Sequence, residues 1–241
     1  MNTFDQLSKH LNWLMTEQYI AVNQQKNPII ISLAKAKAFQ LVYVIRQYSI
    51  FPRELVAFAQ SARKTALKAG WLEVAAELQA NIAEELGSTT QGISHYDLLA
   101  EGLEAGLQLP IKITQPSLAT LRLLTSLQTI CRQDASTVFG AMYAIEATSI
   151  SELTMVMQII TKLIGGNLPD NLQYFFDMHL NEWEPEHEEK LRNTLAQCID
   201  VTDFSKFIVG FCAVMEAMDL WWTELAWEAN LQVNTLKRLV A

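Results

Sequence analysis

The sequence predicts an all-α protein folded as one domain, and three observations carry that expectation. Glycine and proline are scarce, at nine and six, and fall mostly between long stretches of helical apolar spacing. Half of the residues are apolar and only 18% are charged, so the chain can bury a sizeable core. No repeat, low-complexity stretch or linker divides residues 1–241, a length that fits one large domain.

Taken in order, a first helix is expected from about Thr3 to Asn23, with a break near Asn27-Pro28. A second runs from about Ser32 to Ser49, and the turn Phe51-Pro52 precedes a third that ends near Ala69. Gly70 separates off a fourth, Trp71 to Leu86, which Gly87 closes as a left-handed cap. Ser88 to Gly92 has no helical period, and Ser94 starts the next helix, to about Gly106. Pro110 and Pro116 bracket a connector, with Ser117 as N-cap of the following helix. Asp134 or Ser136 begins a long helix through Glu146, and Gly165-Gly166 closes it. Asp170 is expected to cap the helix carrying His179, and a last helix spans about Phe204 to Val240.

The formal charge of −8, with no compact Lys/Arg cluster, argues against nucleic-acid binding. Three cysteines (Cys131, Cys198, Cys212) lack CxxC spacing and read as free thiols in a reducing cytoplasm. The first residues are polar, without a secretory pattern, and the longest apolar runs are about half of the ~20 residues that a membrane span needs.

The chain has only four histidines, and two of them, His179 and His187, lie eight residues apart among carboxylates. Imidazole with carboxylate is a ligand set suited to iron, manganese or zinc. On a straight helix these two would sit ~12 Å apart along the axis, too far to share one metal centre. Pro185 removes a backbone donor, so a kink or restart is expected there, which puts Glu184 and His187 on one face. Glu182 shares a face with His179 and is the competing carboxylate. Glu85 and His95 pose the same problem, ten residues apart and ~15 Å along an unbroken helix, with Gly87 and Gly92 between them to fold the chain back. Glu146 lies in the apolar stretch Val138 to Ala147, where an unpartnered carboxylate is costly. Each group also has a plainer reading: Glu84-Glu85 and Glu182 to Glu189 as solvated faces, and Glu146 paired with an arginine or a tyrosine hydroxyl.

Together, Glu85-x9-His95, Glu146 in an apolar helix, and His179 followed by Glu184-x2-His187 resemble the heme-oxygenase-like diiron oxidases. Arg46 to Pro52 and Asp219 to Trp222 also resemble segments of that wider fold, in the branch around the chlamydial protein associating with death domains (CADD-like). The resemblance implies a single heme-oxygenase-like bundle of seven to nine helices. It also implies six metal ligands, Glu85, His95, Glu146, His179, Glu184 and His187, holding two labile Fe2+ ions with manganese as substitute. The partners implied are O2 and a small amine- or carboxyl-bearing substrate, and by analogy a homodimer. Tyr143, Phe175, Trp183, Trp221 and Trp222 are candidate pocket walls, and equally ordinary core aromatics.

Two departures stand out. The family usually places His-x3-Asp-x2-His in its last ligand helix, one residue shorter than the interval from His179 to His187. A bulge or the kink at Pro185 must absorb the extra residue. The p-aminobenzoate-forming branch also uses a lysine ten residues beyond the mid-chain glutamate, where this chain has Val156, so self-consuming chemistry of that kind is not expected. Alternatives are a metal-free helical enzyme resembling the thiaminase-like or pyrroloquinoline-quinone-forming proteins, and a non-catalytic interaction protein.

Overall fold

The computed structural model describes residues 3–231, and every regular element among them is helical. In chain order these are α1 (Phe4–Gln18), α2 (Pro28–Ser32), α3 (Ala38–Tyr48), α4 (Ile50–Ala69), α5 (Leu72–Glu85), α6 (His95–Leu107), α7 (Leu118–Ile130), α8 (Ala135–Ile164), α9 (Asp170–Met178), α10 (Glu184–Cys198) and α11 (Phe204–Glu228). A π-helical turn, His179–Trp183, joins α9 to α10 without interruption. Counting that run as one helix and leaving aside the short α2, the described residues form a bundle of nine helices.

Local chemistry sets the boundaries. Thr3, Ser94, Ser117 and Asp134 each accept a backbone N–H of the first turn of the helix that follows, satisfying donors with no partner inside the helix. Five expectations shift. α1 ends at Gln18 rather than Asn23, because the chain extends at Tyr19. The second helix begins at Ala38, since α2 occupies 28–32 with Asn27 as its cap and Pro28 in the position where a missing N–H is harmless. Phe51-Pro52 lies inside the first turn of α4 for the same reason. Pro169, not Asp170, precedes α9. The last helix ends at Glu228, and the part expected over 232–240 lies outside the described residues.

The central pair is α8 against α11, the most extensive helix contact in the bundle. Two glycines let it form: a Cβ on Gly140 would collide with the Phe207 carbonyl oxygen, and one on Gly210 with that of Thr137. Around this axis, α4, α5, α6 and the α9–α10 run pack so that the middle of α8 faces them. No helix among the described residues is long and apolar enough to cross a membrane, and all three cysteines are free.

Gly140→Ala or Gly210→Ala should destabilise the fold by roughly 3 kcal/mol in urea titrations, because backbone rather than a flexible side chain has to move. Gly166→Ala, where a Cβ meets open space, should change stability by less than about 0.5 kcal/mol.

Candidate metal centre

The first half of the site is made where α5 stops and α6 starts. Glu85 is the last residue of α5, and Gly87 then turns the chain with φ +100. A Cβ there would lie 2.7 Å from Gly92 C and from Ile93 O, so only glycine lets the loop fold back this tightly. Thr90 pins the return by donating its hydroxyl to the Ile93 carbonyl. Ser94 then caps α6, and the next residue, His95, points back to Glu85, with Nδ1 and Oε1 3.1 Å apart.

The second half lies on the α9–α10 run, which keeps its helical path where a kink or restart at Pro185 was expected. The extra residue is taken up by the π turn, in which the Glu184 N–H donates to the carbonyl of His179, five residues back. The wider turn ends just before Pro185, which has no N–H to give and would clash with a regular helix's preceding turn. His179, Glu184 and His187 thereby all reach the interior, while Glu182 is exposed. Of the two competing carboxylates, the fold turns Glu184 inward.

α8 supplies Glu146, whose Oε1 accepts from Asn81 Nδ2 at 3.3 Å. The six side chains fall into two triads, Glu85/His95/His179 and Glu146/Glu184/His187. Within each, the atoms able to ligate a cation lie within 4.8 Å of one another. Both triads line one cavity of about 80 Å³, several times the roughly 10–15 Å³ that one water needs. α4 provides much of its apolar wall through Phe51, Pro52, Leu55, Val56 and Ala59. Among the described residues, no lysine or arginine lines it.

Electrostatics reflect that crowding. Burial, and then the charge of Glu184, pushes the Glu146 carboxyl up to about 8. Burial likewise pushes Glu184 up to about 7, against the pull of His187. Burial drives His179 down to about 4. For His187 burial opposes the charged form, but Glu146, Glu84 and Glu184 outweigh it and raise the value. Glu85 also feels burial first, yet its hydrogen bond and attraction to His95 bring it below the ordinary carboxylate value.

The donor chemistry fits a pair of cations. His179 Nδ1 lies 2.7 Å from the Phe175 carbonyl, so it carries the proton and leaves Nε2 with a free lone pair. His95 Nε2 is buried without a hydrogen-bond partner, which is rare and calls for an explanation such as a bound ion. Imidazoles oriented by a carbonyl or carboxylate are what metal sites use.

Two acidic residues escaped the sequence reading. Glu84, taken with Glu85 as a helix end, accepts from His187 Nε2 at 2.9 Å. Glu152, 2% exposed, lies on α8 beyond Glu146, and its Oε1 accepts from Trp222 Nε1 at 2.9 Å. Burial pushes its carboxyl up to about 8 against that hydrogen bond, with the charge of Glu184 adding to the rise. An acidic residue in the apolar half of α8 was a signal for Glu152 as it was for Glu146.

The aromatic expectation is corrected. Only Phe175 of the five lines the cavity. Trp183 stacks flat on the His95 ring, with centroids 4.0 Å apart at 9°. Tyr143 packs with Phe4, Phe207 and Phe211, and its hydroxyl reaches Glu188 at 3.1 Å. Trp221 donates to Thr120 and Trp222 to Glu152, both from the core. Large aromatic surface was buried for packing instead. Tyr48, not anticipated, does line the cavity.

Comparison with known proteins agrees with this architecture. Residues 5–228 match the family described as a domain of unknown function with a solved structure (DUF3865). A crystal structure of a CADD-like protein of unknown function from Nostoc punctiforme PCC 73102, at 2.00 Å resolution, is 50% identical with a TM-score of 0.91, covering 94% of this chain and 98% of that one. A second crystal structure under the same description, at 1.35 Å, is 48% identical with a TM-score of 0.89, covering 94% and 96%. No curated protein matches the chain. With a family match over nearly its whole length and relatives at this identity, the chain belongs to the DUF3865 family of CADD-like helical proteins.

Proposed function

We propose that the protein is a non-heme dinuclear-metal oxidase or oxygenase acting on a small amine- or carboxyl-bearing metabolite. Glu85, His95 and His179 would hold one Fe2+ and Glu146, Glu184 and His187 the other, with manganese as substitute. The observation that carries this reading is the pairing of two donor triads on one cavity in which, among the described residues, no lysine or arginine balances the carboxylates. Two irons bound there would supply the electrons and open coordination positions for reducing O2 beside an organic substrate.

The chain's own residues prepare that site. The Phe175 carbonyl fixes the His179 ring with Nε2 available, and Glu84 does the same for His187 by accepting the Nε2–H hydrogen bond, which leaves Nδ1 free. Asn81 holds one oxygen of Glu146, which limits how that carboxylate can turn. Trp183 stacks on His95 and edges against His179, locking two imidazoles with one indole. The apolar wall from α4 and Phe175 keeps bulk water from the donors and strengthens every charge interaction inside.

Anaerobic reconstitution should load about two irons per chain, and the loaded protein should consume O2. Glu184→Gln, His179→Ala or Glu146→Ala should lower occupancy while the helical circular-dichroism signal stays, and Glu182→Gln should leave occupancy unchanged. Uptake of less than one equivalent, or unchanged occupancy in all three site variants, contradicts the reading.

The metal-free protein should show an unusual pH dependence. The carboxyls of Glu146, Glu152 and Glu184 titrate near 8, 8 and 7 when folded, against 4.5 in the reference state. Between those limits the folded state keeps protons that the unfolded chain releases, so stability falls as pH rises. His187, whose value is raised, adds to that fall. His179 acts oppositely, because its folded value of about 4 lies below 6.5 and stability rises with pH between them. The carboxyls outnumber it. Tm without metal should therefore be higher near pH ~6 than near pH ~8, by about 5 °C or more, and Mn2+ should shrink the difference. A Tm that rises steadily across that range would contradict the burial of uncompensated carboxylates.

A further inference from the structure

The cavity has a second acidic feature, which the metal ligands do not use. Glu152 lines it from α8, and its neighbours in the wall include Tyr48, Phe51, Leu55, Met142 and Leu153. Trp222 Nε1 donates to one carboxylate oxygen. An indole N–H needs only one acceptor, which an uncharged glutamine would supply equally well. When ionised, a carboxyl also carries a negative charge that burial makes costly, and no lysine or arginine of the described residues lines the cavity to balance it. A cationic ligand group would.

The space limits the size of such a ligand. About 80 Å³, several times the roughly 10–15 Å³ that one water needs, restricts the occupant to a small molecule. The rest of the lining is largely apolar, so the body of the ligand must be too.

We propose, on the reading of the site as an oxidase centre, that Glu152 anchors the ammonium group of a small alkyl or aryl amine substrate, whose apolar body fills the cavity toward the two triads. This narrows the substrate class from amine or carboxylate to amine. It also gives Trp222 a role, holding the Glu152 carboxylate in the orientation that meets the ammonium.

The test is calorimetric titration of the full-length protein with pentylamine, pentanoate and 1-pentanol, with iron content measured on the same samples. Pentylamine should bind at least about tenfold tighter than either analogue. Glu152→Gln, which keeps the acceptor for Trp222, should abolish that preference while iron content and pentanol affinity stay unchanged. Equal or better binding of pentanoate, no binding of pentylamine, or an unaltered preference in Glu152→Gln overturns the proposal. Should that variant fail to fold, the ranking of the three ligands on the unaltered protein still decides. A chain that takes up no iron but binds pentylamine through Glu152 sinks the oxidase reading alone. An iron-loaded chain indifferent to Glu152→Gln sinks the amine site alone.

Discussion

Four glutamates, Glu85, Glu146, Glu152 and Glu184, line one largely apolar cavity with no lysine or arginine of the described residues beside them, and the rest of the structure answers to that constraint. Uncompensated, such a cluster works against folding by several kcal/mol for each ionised group. Three histidines stand among the carboxylates, and Asn81, Trp222 and Glu84 fix individual members through hydrogen bonds. The metal-free protein can hold the arrangement by keeping protons on several carboxyls. Bound cations would let those carboxylates ionise in place.

The backbone departs from regular helix where the site demands it. Gly87 permits a return so tight that any Cβ would strike the opposite strand of the loop, and this brings His95 onto Glu85. The π turn over His179–Trp183 performs the equivalent task by absorbing one residue within a continuous helix. π turns inserted in α-helices often occur at functional sites. The two segments thus solve one geometric problem by different means, a chain reversal and a local widening. Gly140 and Gly210 bring α8 close to α11 and set the helix that carries both Glu146 and Glu152.

Much of this was legible in the sequence. Helical spacing and the Gly/Pro punctuation mark the bundle, and serine and aspartate caps locate the starts of α6, α7 and α8. The histidine–carboxylate spacings, the apolar setting of Glu146 and the family resemblance together point to the six side chains that the fold brings together. What stayed hidden depended on partners distant in sequence. Glu84 looks like its neighbour Glu85 until His187, more than a hundred residues later, is placed against it. Pro185 signals an irregularity, but a kink and a preceding π turn both accommodate its missing N–H, and the residue types alone do not separate the two. The aromatic residues gave no guidance, because Trp183, Trp221 and Trp222 serve packing and positioning, which composition does not separate from lining a pocket.

The central claim is that the two triads are cation sites. Anomalous diffraction at the iron edge, from crystals grown anaerobically with Fe2+, tests it most directly. The account predicts one peak inside Glu85/His95/His179 and a second inside Glu146/Glu184/His187, with His95 Nε2 no longer unpartnered. Fully ordered triads with no peak in either, or iron bound only elsewhere on the surface, would contradict it.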